Sequence, residues 1–263
     1  MSNISARARQ DLSARAMLFD EECPEVVVPS MSQDRLRFWS WMLSAYGEAQ
    51  GVSRTLEVSS KEKLHEYRYT GEVVLPFSGG LESTYLAAAF PHVHRISLDY
   101  LPNFDGVLEY EVFDYWMESY MEGGVPALLA GLGYSTVIMG NEWRFGLGDL
   151  PEANAEFCAR WFEYSGQTVV MPLLGMTKDE IAVALARLRP DWYSRIISCI
   201  KTKDRREIDC WCGRCAKCQV AWHTAQAIGR PLPFSLRKKG IGDDYWSERY
   251  REHLSDTYDY EID

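Results

Sequence analysis

From Glu72 onward, short apolar runs alternate with stretches whose apolar residues recur at helical spacing. Val73 to Phe77, His94 to Asp99, Thr136 to Met139 and Thr168 to Met171 read as strands. Leu81 to Phe90, Glu109 to Met121, Pro126 to Leu132, Glu152 to Tyr164 and Lys178 to Leu188 read as helices. Brief apolar strands separated by helices predict an α/β fold with a parallel sheet covered on both faces. In such sheets ligands bind beyond the carboxyl ends of the strands. Four short motifs fall at or near those ends: SGG at 78–80, Asp99-Tyr100, GNE at 140–142 and PLLGMTK at 172–178.

Before Glu72 the texture differs. RLRFWSWMLSAYGEA (35–49) has helical spacing, Lys63 to Tyr69 alternates like a short strand, and Thr70-Gly71 reads as a turn. No chemical motif stands out there, so residues 1–70 are expected to elaborate a core spanning 71–230. After Ala221 the pattern gives a short helix to about Ile228, a basic loop at Arg237 to Lys239 and an acidic tail within 231–263.

The formal net charge of −10 is concentrated at that end, where residues 240–263 hold eight Asp/Glu against two Arg. Duplex DNA and anionic membranes are therefore poor partners for the surface as a whole. Cys199 to Lys217 is a local exception with six Lys/Arg and three acids, fit either for a phosphate-bearing ligand or for solvent. The first residues, MSNISARARQDLSARAM, carry arginines without an apolar run, and the longest uncharged stretch, Gly123 to Asn141, holds five glycines and a proline. A cytoplasmic chain is the expectation. Five of the seven cysteines lie between 199 and 218, which in that compartment points to metal rather than disulfides.

The spacing Cys199-x12-Cys212-x2-Cys215-x2-Cys218 offers four soft ligands, with Gly213 permitting a tight turn between two of them. That set matches tetrahedral Zn²⁺ in a closed structural site. Cys210 and, less well, His223 are alternative fourth ligands, whereas Cys23 and Cys158 read as ordinary thiols.

At Ser78-Gly79-Gly80-Leu81-Glu82-Ser83 a strand turns into a helix. Two glycines let backbone N–H groups approach an anion, the helix start adds unpaired donors and a positive dipole end, and Ser78 and Ser83 add hydroxyls. A plain glycine turn would use the same residues. Glu82 in the first helical turn is favourable with the dipole by about 0.3–1 kcal/mol on that ground alone. Thr177 with Glu180 three residues on forms a capping box. Lys178 between them is the odd residue, because a cation at a helix N-terminus is unfavourable unless an anion sits nearby. Lys201 and Lys203 are weaker candidates for the same role.

The string Ser78 to Ser83 after an apolar strand resembles the SGGxDS signature of the PP-loop ATP pyrophosphatase superfamily, with Glu82 in place of its aspartate. Joined to the downstream cysteine cluster, it looks like the 7-cyano-7-deazaguanine synthase (QueC-like) family over roughly Val73 to Gly229. LDY at 98–100, VIMGNE at 137–142, MPLLGMTKDEIA at 171–182 and SC at 198–199 add to the likeness. Ala221 stands where that family shows an arginine, and residues 1–70 and the acidic tail have no counterpart in a minimal synthase.

The resemblance implies an adenine-nucleotide α-hydrolase-like core with a C-terminal zinc element. It implies Ser78, Gly79, Gly80, Leu81, Glu82 and Ser83 on ATP with Mg²⁺, Asp99 near the adenosine, and Ser78, Glu82 and Lys178 in catalysis. Asn141, Glu142 and, more weakly, Asp149 would meet a 7-deazapurine; loop or capping roles remain open for Asp99, Asn141 and Glu142. Zinc would sit on Cys199, Cys212, Cys215 and Cys218. The implied activity is adenylation of a deazapurine carboxylate and its conversion with ammonia to amide and nitrile. The alternatives are a relative that stops at the amide or joins the carboxylate to another amine, a PP-loop tRNA sulfur-insertion enzyme drawing on Cys158 or Cys210, and a zinc-stabilised binding protein that has lost turnover. A homodimer is compatible with all of them.

Overall fold

The computed structural model describes residues 4–18, 25–28, 32–50, 55–58, 66–113, 124–141, 150–198, 211–213, 215–236 and 245–259, with backbone alone at 14–18, 25–28, 46–50, 55–58, 150–153, 216 and 245–251. Cys23, Glu142, Asp149, Cys199, Lys201, Lys203, Cys210 and the loop Arg237 to Lys239 lie outside the described residues. The architecture is α/β: a five-stranded parallel sheet flanked by helices, with a separate two-stranded parallel pair. In chain order the strands are β1 (Glu25–Val28), β2 (Thr55–Val58), β3 (Val73–Pro76), β4 (His94–Ser97), β5 (Glu111–Val112), β6 (Thr136–Ile138) and β7 (Thr168–Val170). The helices are α1 (Ala6–Leu18), α2 (Gln33–Gln50), α3 (Leu81–Ala89), α4 (Gly124–Gly131), α5 (Leu150–Ser165), α6 (Lys178–Leu188), α7 (Pro190–Tyr193), α8 (Ala216–Ala227) and α9 (Tyr245–Tyr258). Among the described residues no helix is long and apolar enough to cross a membrane.

The large sheet runs β5-β4-β3-β6-β7. The chain therefore builds outward from β3 through β4 to β5, then returns to β3's other side for β6 and β7. That reversal is a topological switch point, where open parallel sheets place their ligands. β3 is a central strand: Val74, Leu75 and the following Phe77 are buried, as a strand covered on both faces requires. Its four apolar residues were legible for this reason, and α6 spans the range its periodicity predicts, burying Ile181, Ala182, Leu185 and Ala186 on one stripe.

Two compact units divide the chain. One comprises Met1–Val74, Tyr115–Met139 and Asp149–Met171. Within it α1 packs on α4 and α2 packs on α5, with Phe38, Trp39 and Trp161 in the core. Gly131 ends α4 where a Cβ would stand 2.3 Å from Ala8 Cβ, so only glycine lets α1 lie that close. At the centre is Asp11, fully buried on α1. It accepts from Arg7 Nε (3.0 Å), Trp39 Nε1 (3.3 Å), Tyr67 Oη (2.7 Å) and Tyr164 Oη (2.5 Å), with Arg35 Nε at 3.6 Å. The Arg7 guanidinium also lies over the Tyr164 ring, 4.4 Å from its centroid.

The other unit comprises Leu75–Asp114, Gly140–Gly148 and Pro172–Asp263. Here α3 packs on α6, α6 on α7, and α8 on both α6 and α9. Trp211 stacks on Phe234 with ring centroids 4.6 Å apart, and Leu254 of α9 is fully buried.

Four sequence expectations need correction. Glu111 and Val112, assigned to a helix from Glu109 to Met121, form β5 against Ile96 and Ser97, and Phe113 N–H donates to Ser97 O (2.8 Å). The unpaired edge of β4 captures that segment, while residues 114–121 lie outside the described ones. Glu66 to Tyr69 belongs to no strand, although its alternation is real. Tyr67 and Tyr69 turn to the same side, with rings 6.0 Å apart, but serve Asp11 and Ser165 O rather than a ladder. The helix expected after Ala221 starts five residues earlier, at Ala216, and the acidic tail contains α9.

Replacing Asp11 by Ala would leave two buried guanidiniums without their carboxylate, and such losses cost about 3–5 kcal/mol. Urea denaturation should show a drop of that size, against about 1 kcal/mol for Tyr164→Phe, which removes one hydroxyl donor. Equal effects of the two would mean that Asp11 is not the hub.

Candidate functional site

The corner after β3 is held by its own hydroxyls. Gly79 has φ of +68°, a left-handed conformation that other residues adopt at a cost, and an added Cβ would stand 3.3 Å from the Phe104 ring. Gly80 forms the N-cap of α3 and supplies no side-chain cap, so the first helical N–H groups look outward for partners. Ser83 is buried and works inside the loop: its Oγ accepts from Ser78 N–H (3.2 Å) and donates to Gly80 O (3.3 Å). Ser78 is exposed, with Oγ 3.1 Å from Ser83 Oγ and accepting from Gly80 N–H at 3.4 Å.

Ser198, whose role the sequence did not suggest, completes this lacing. Its Oγ accepts the Leu81 N–H at 3.4 Å, and the N–H of the preceding Ile197 donates to Gly79 O at 3.0 Å. Its only sequence signal was its place beside Cys199.

Glu82 occupies the first turn of α3 and meets Lys178 Nζ, the first residue of α6, in a hydrogen-bonded ion pair. Both side chains are partly buried. Burial pushes the Glu82 carboxyl up, but the Lys178 charge and hydrogen bond, a backbone N–H and the charge of Lys217 outweigh it, so its pKa lies below the ordinary value. The anion that Lys178 requires at its own helix N-terminus is thus Glu82 of the neighbouring helix. Lys178's neighbours are tied elsewhere: Thr177 and Glu180 form the expected capping box, Glu180 Oε2 accepting from Thr177 N–H at 2.8 Å. Gly140, just after β6, passes so close that a Cβ there would stand 3.1 Å from Glu82 Cβ.

The structure therefore brings Ser78, Gly79, Gly80, Leu81, Glu82, Ser83 and Lys178 together, with Gly140 and Ser198 against them. Asp99 lies just beyond β4, its N–H donating to Ser97 Oγ (3.2 Å). Leu101 and Phe104, from the segment after it, pack against Gly79. Asn141 follows Gly140 and is half-buried. In charge, Glu82 offsets Lys178, and the positive end of α3 beside the pair favours an anion.

Downstream, Cys212, Cys215 and Cys218 hold their sulfurs within 4.8 Å of one another. Cys218 Sγ lies 3.6 Å from Cys212 Sγ and 3.5 Å from Cys215 Sγ. A tetrahedron with Zn–S bonds of about 2.3 Å has edges of about 3.8 Å, so these thiols could hold a metal ion and are compatible with zinc. Gly213, with φ of +66°, makes the turn between the first two, and Cys215 is the N-cap of α8, whose dipole favours thiolate. His223 is buried further along α8 and is not part of this group, while Cys158 is a half-buried thiol whose pKa burial raises.

Two expectations follow. Metal analysis of Cys215→Ser should show the loss of an ion that the wild type holds at about one per chain, the stoichiometry of a single thiolate site; full retention would remove Cys215 from the ligands. A depressed folded pKa makes the Glu82 pair stabilising above the ordinary carboxylate value of 4.5, with that contribution lost as pH falls through the lower folded value. The stability gap between wild type and Glu82→Gln in urea should accordingly shrink between neutral pH and about pH 3. A gap that stayed constant would show that the pair is not what Glu82 contributes. Compared with protein-family models, curated proteins and solved structures, the chain shows no match.

Proposed function

We propose that the protein is an ATP-dependent C–N ligase of the 7-cyano-7-deazaguanine synthase kind, built on a PP-loop core of adenine-nucleotide α-hydrolase type. The observation that carries this reading is the convergence of the Gly79-Gly80 corner, the N-terminal end of α3 and the Glu82–Lys178 pair. Together they form a seat for an anion at the switch point of a parallel sheet, as a pyrophosphate grip needs.

In this reading Ser78, the backbone of Gly79 to Leu81 and Lys178 hold the β- and γ-phosphates, with Asp99 near the adenosine. The Gly80 and Leu81 N–H groups exchange their long contacts to Ser78 Oγ and Ser198 Oγ for phosphate oxygens. Glu82 is the corner carboxylate available to Mg²⁺, which when bound neutralises charge on the leaving pyrophosphate. Asn141, Glu142 and, more weakly, Asp149 are the residues that the resemblance assigns to the deazapurine. The substrate carboxylate oxygen attacks the α-phosphorus and the bond to pyrophosphate breaks. Ammonia then attacks the acyl carbon, AMP leaves and a proton is lost, giving the amide. In a second round the amide oxygen attacks the α-phosphorus of another ATP and pyrophosphate leaves; loss of AMP and of the two N–H protons then gives the nitrile. Fixed donors on the leaving group, placed before the reaction, supply the acceleration. Zinc held by Cys212, Cys215 and Cys218, with Cys199 as the fourth thiolate the resemblance implies, would serve the fold rather than the chemistry.

The test is pyrophosphate and AMP release from Mg-ATP with 7-carboxy-7-deazaguanine and ammonium, with mass spectrometry of the product. Nitrile with two AMP per product supports the synthase reading. Amide alone identifies a ligase that stops halfway or uses another amine. No AMP with any carboxylate overturns the enzyme reading in favour of a binding protein.

A further inference from the structure

Helix α3 starts on a residue that cannot cap it. Gly80, its N-cap, has φ of −78° and ψ of 174°, extended values that any residue adopts. A serine or an aspartate fits that conformation and would cap the first N–H groups with its own side chain. The glycine is therefore not there for its backbone freedom but for space. A Cβ on Gly80 would stand 3.3 Å from Ser198 Oγ, 3.4 Å from Ser78 Oγ and 3.7 Å from Glu82 Oε2, so three oxygens crowd one side of this residue.

Two of those oxygens do the capping from outside. Gly80 N–H donates to Ser78 Oγ and Leu81 N–H donates to Ser198 Oγ, both at 3.4 Å. These lengths exceed the ordinary range for N–H···O bonds, so the contacts cost little to exchange. A serine hydroxyl accepts and donates at once, so Ser198 can take the Leu81 N–H and still offer its own proton to another partner. Its backbone is fixed in advance. Ile197 N–H donates to Gly79 O at 3.0 Å. Arg195 Nη1 donates to Asn103 O, and Asn103 Nδ2 donates to Arg195 O, each at 3.2 Å. The segment 195–198, which follows α7, is thus tied both to the corner and to the loop after β4.

We propose that Ser198 is a phosphate-binding residue of the corner: its hydroxyl stands on the Leu81 N–H in place of a ligand oxygen, yields that N–H to an arriving phosphoryl group and donates a hydrogen bond to the same group. This rests on the reading of the corner as a nucleotide site and adds to it a residue from the segment after α7. The exchange is favourable because one long neutral contact gives way to charge-assisted bonds from Leu81 N–H and from the hydroxyl, each roughly twice as strong as a neutral one. Removing the hydroxyl therefore costs binding rather than freeing the N–H to bind better.

The experiment is calorimetric binding of Mg-ATP and of inorganic pyrophosphate to the full chain, with the Leu81 amide followed by NMR. Ser198→Ala should weaken both probes by about three- to tenfold, the worth of one hydrogen bond, and Ser198→Thr, which keeps the hydroxyl, should restore them. The Leu81 amide resonance of the wild type should shift as pyrophosphate binds. A resonance that stays in place while calorimetry records binding overturns the exchange, and does so even if Ser198→Ala does not fold. A Ser198→Ala protein that binds both probes as tightly as wild type, with only its urea midpoint lowered, reduces Ser198 to a lace of the loop and leaves the corner reading intact. A wild type that binds neither probe overturns the corner reading and this assignment with it.

Discussion

The contact between Glu82 and Lys178 joins the first turns of two helices whose positive ends both point at the corner. For α3 the arrangement is favourable by itself, since an acid in the first turn meets the dipole. For α6 it is not: a lysine at the first position costs up to about 1 kcal/mol against its own helix. A charge-assisted hydrogen bond is worth about 1.5–3 kcal/mol, so the pair outweighs the penalty and fixes the lysine where an anionic ligand would need it. The geometry of the corner follows from this. A Cβ at Gly140, just after β6, would crowd Glu82 Cβ at 3.1 Å, and Ser78, Ser83 and Ser198 lace the α3 N-terminus in front of the pair.

Each unit is also organised around one buried aspartate, and the two solve the same electrostatic problem differently. Asp179 sits at a helix N-terminus, where the dipole and a backbone N–H already favour its charge, so a tyrosine, a histidine and a threonine suffice. Asp11 lies on α1 with no such help. It draws two guanidiniums, two phenols and an indole, and the burial of Arg7 and Arg35 is the consequence. Burial and the Asp11 contact push the Tyr164 and Tyr67 hydroxyls up, so both phenols remain proton donors to that carboxylate.

This explains which parts were legible in the sequence. β3, β6 and β7 are short apolar runs, and α3 and α6 begin with local signals, a glycine corner and a capping box, that need no tertiary context. α1 and α9 are anchored by polar residues turned inward, the reverse of the pattern that marks a helix face, and carried no readable signal. β5 is two exposed residues that are a strand only because β4 offers an edge. At the site, Lys178 stood out because it broke the dipole rule, and its partner was visible only once α3 and α6 were packed together. Ser198 lies 117 positions from Leu81, and no local rule reaches that far.

Glu82 departs from the aspartate of the signature its segment resembles, and the packing gives a reason. An aspartate in the first turn of α3 would hold its carboxylate about 1.5 Å nearer the helix axis, the length of one C–C bond. Lys178 belongs to a different helix, and the longer acid spans to it while its Cβ rests against the bare backbone of Gly140. Ammonium and carboxylate then meet between α3 and α6 rather than at the surface of either helix. Lys217, set between Cys215 and Cys218, adds its field to the same carboxylate. Glu82 thus reports on both cations at once. In the proposed reading a phosphate at the corner would compete with Glu82 for Lys178, so the length of that side chain would set how tightly the corner holds it.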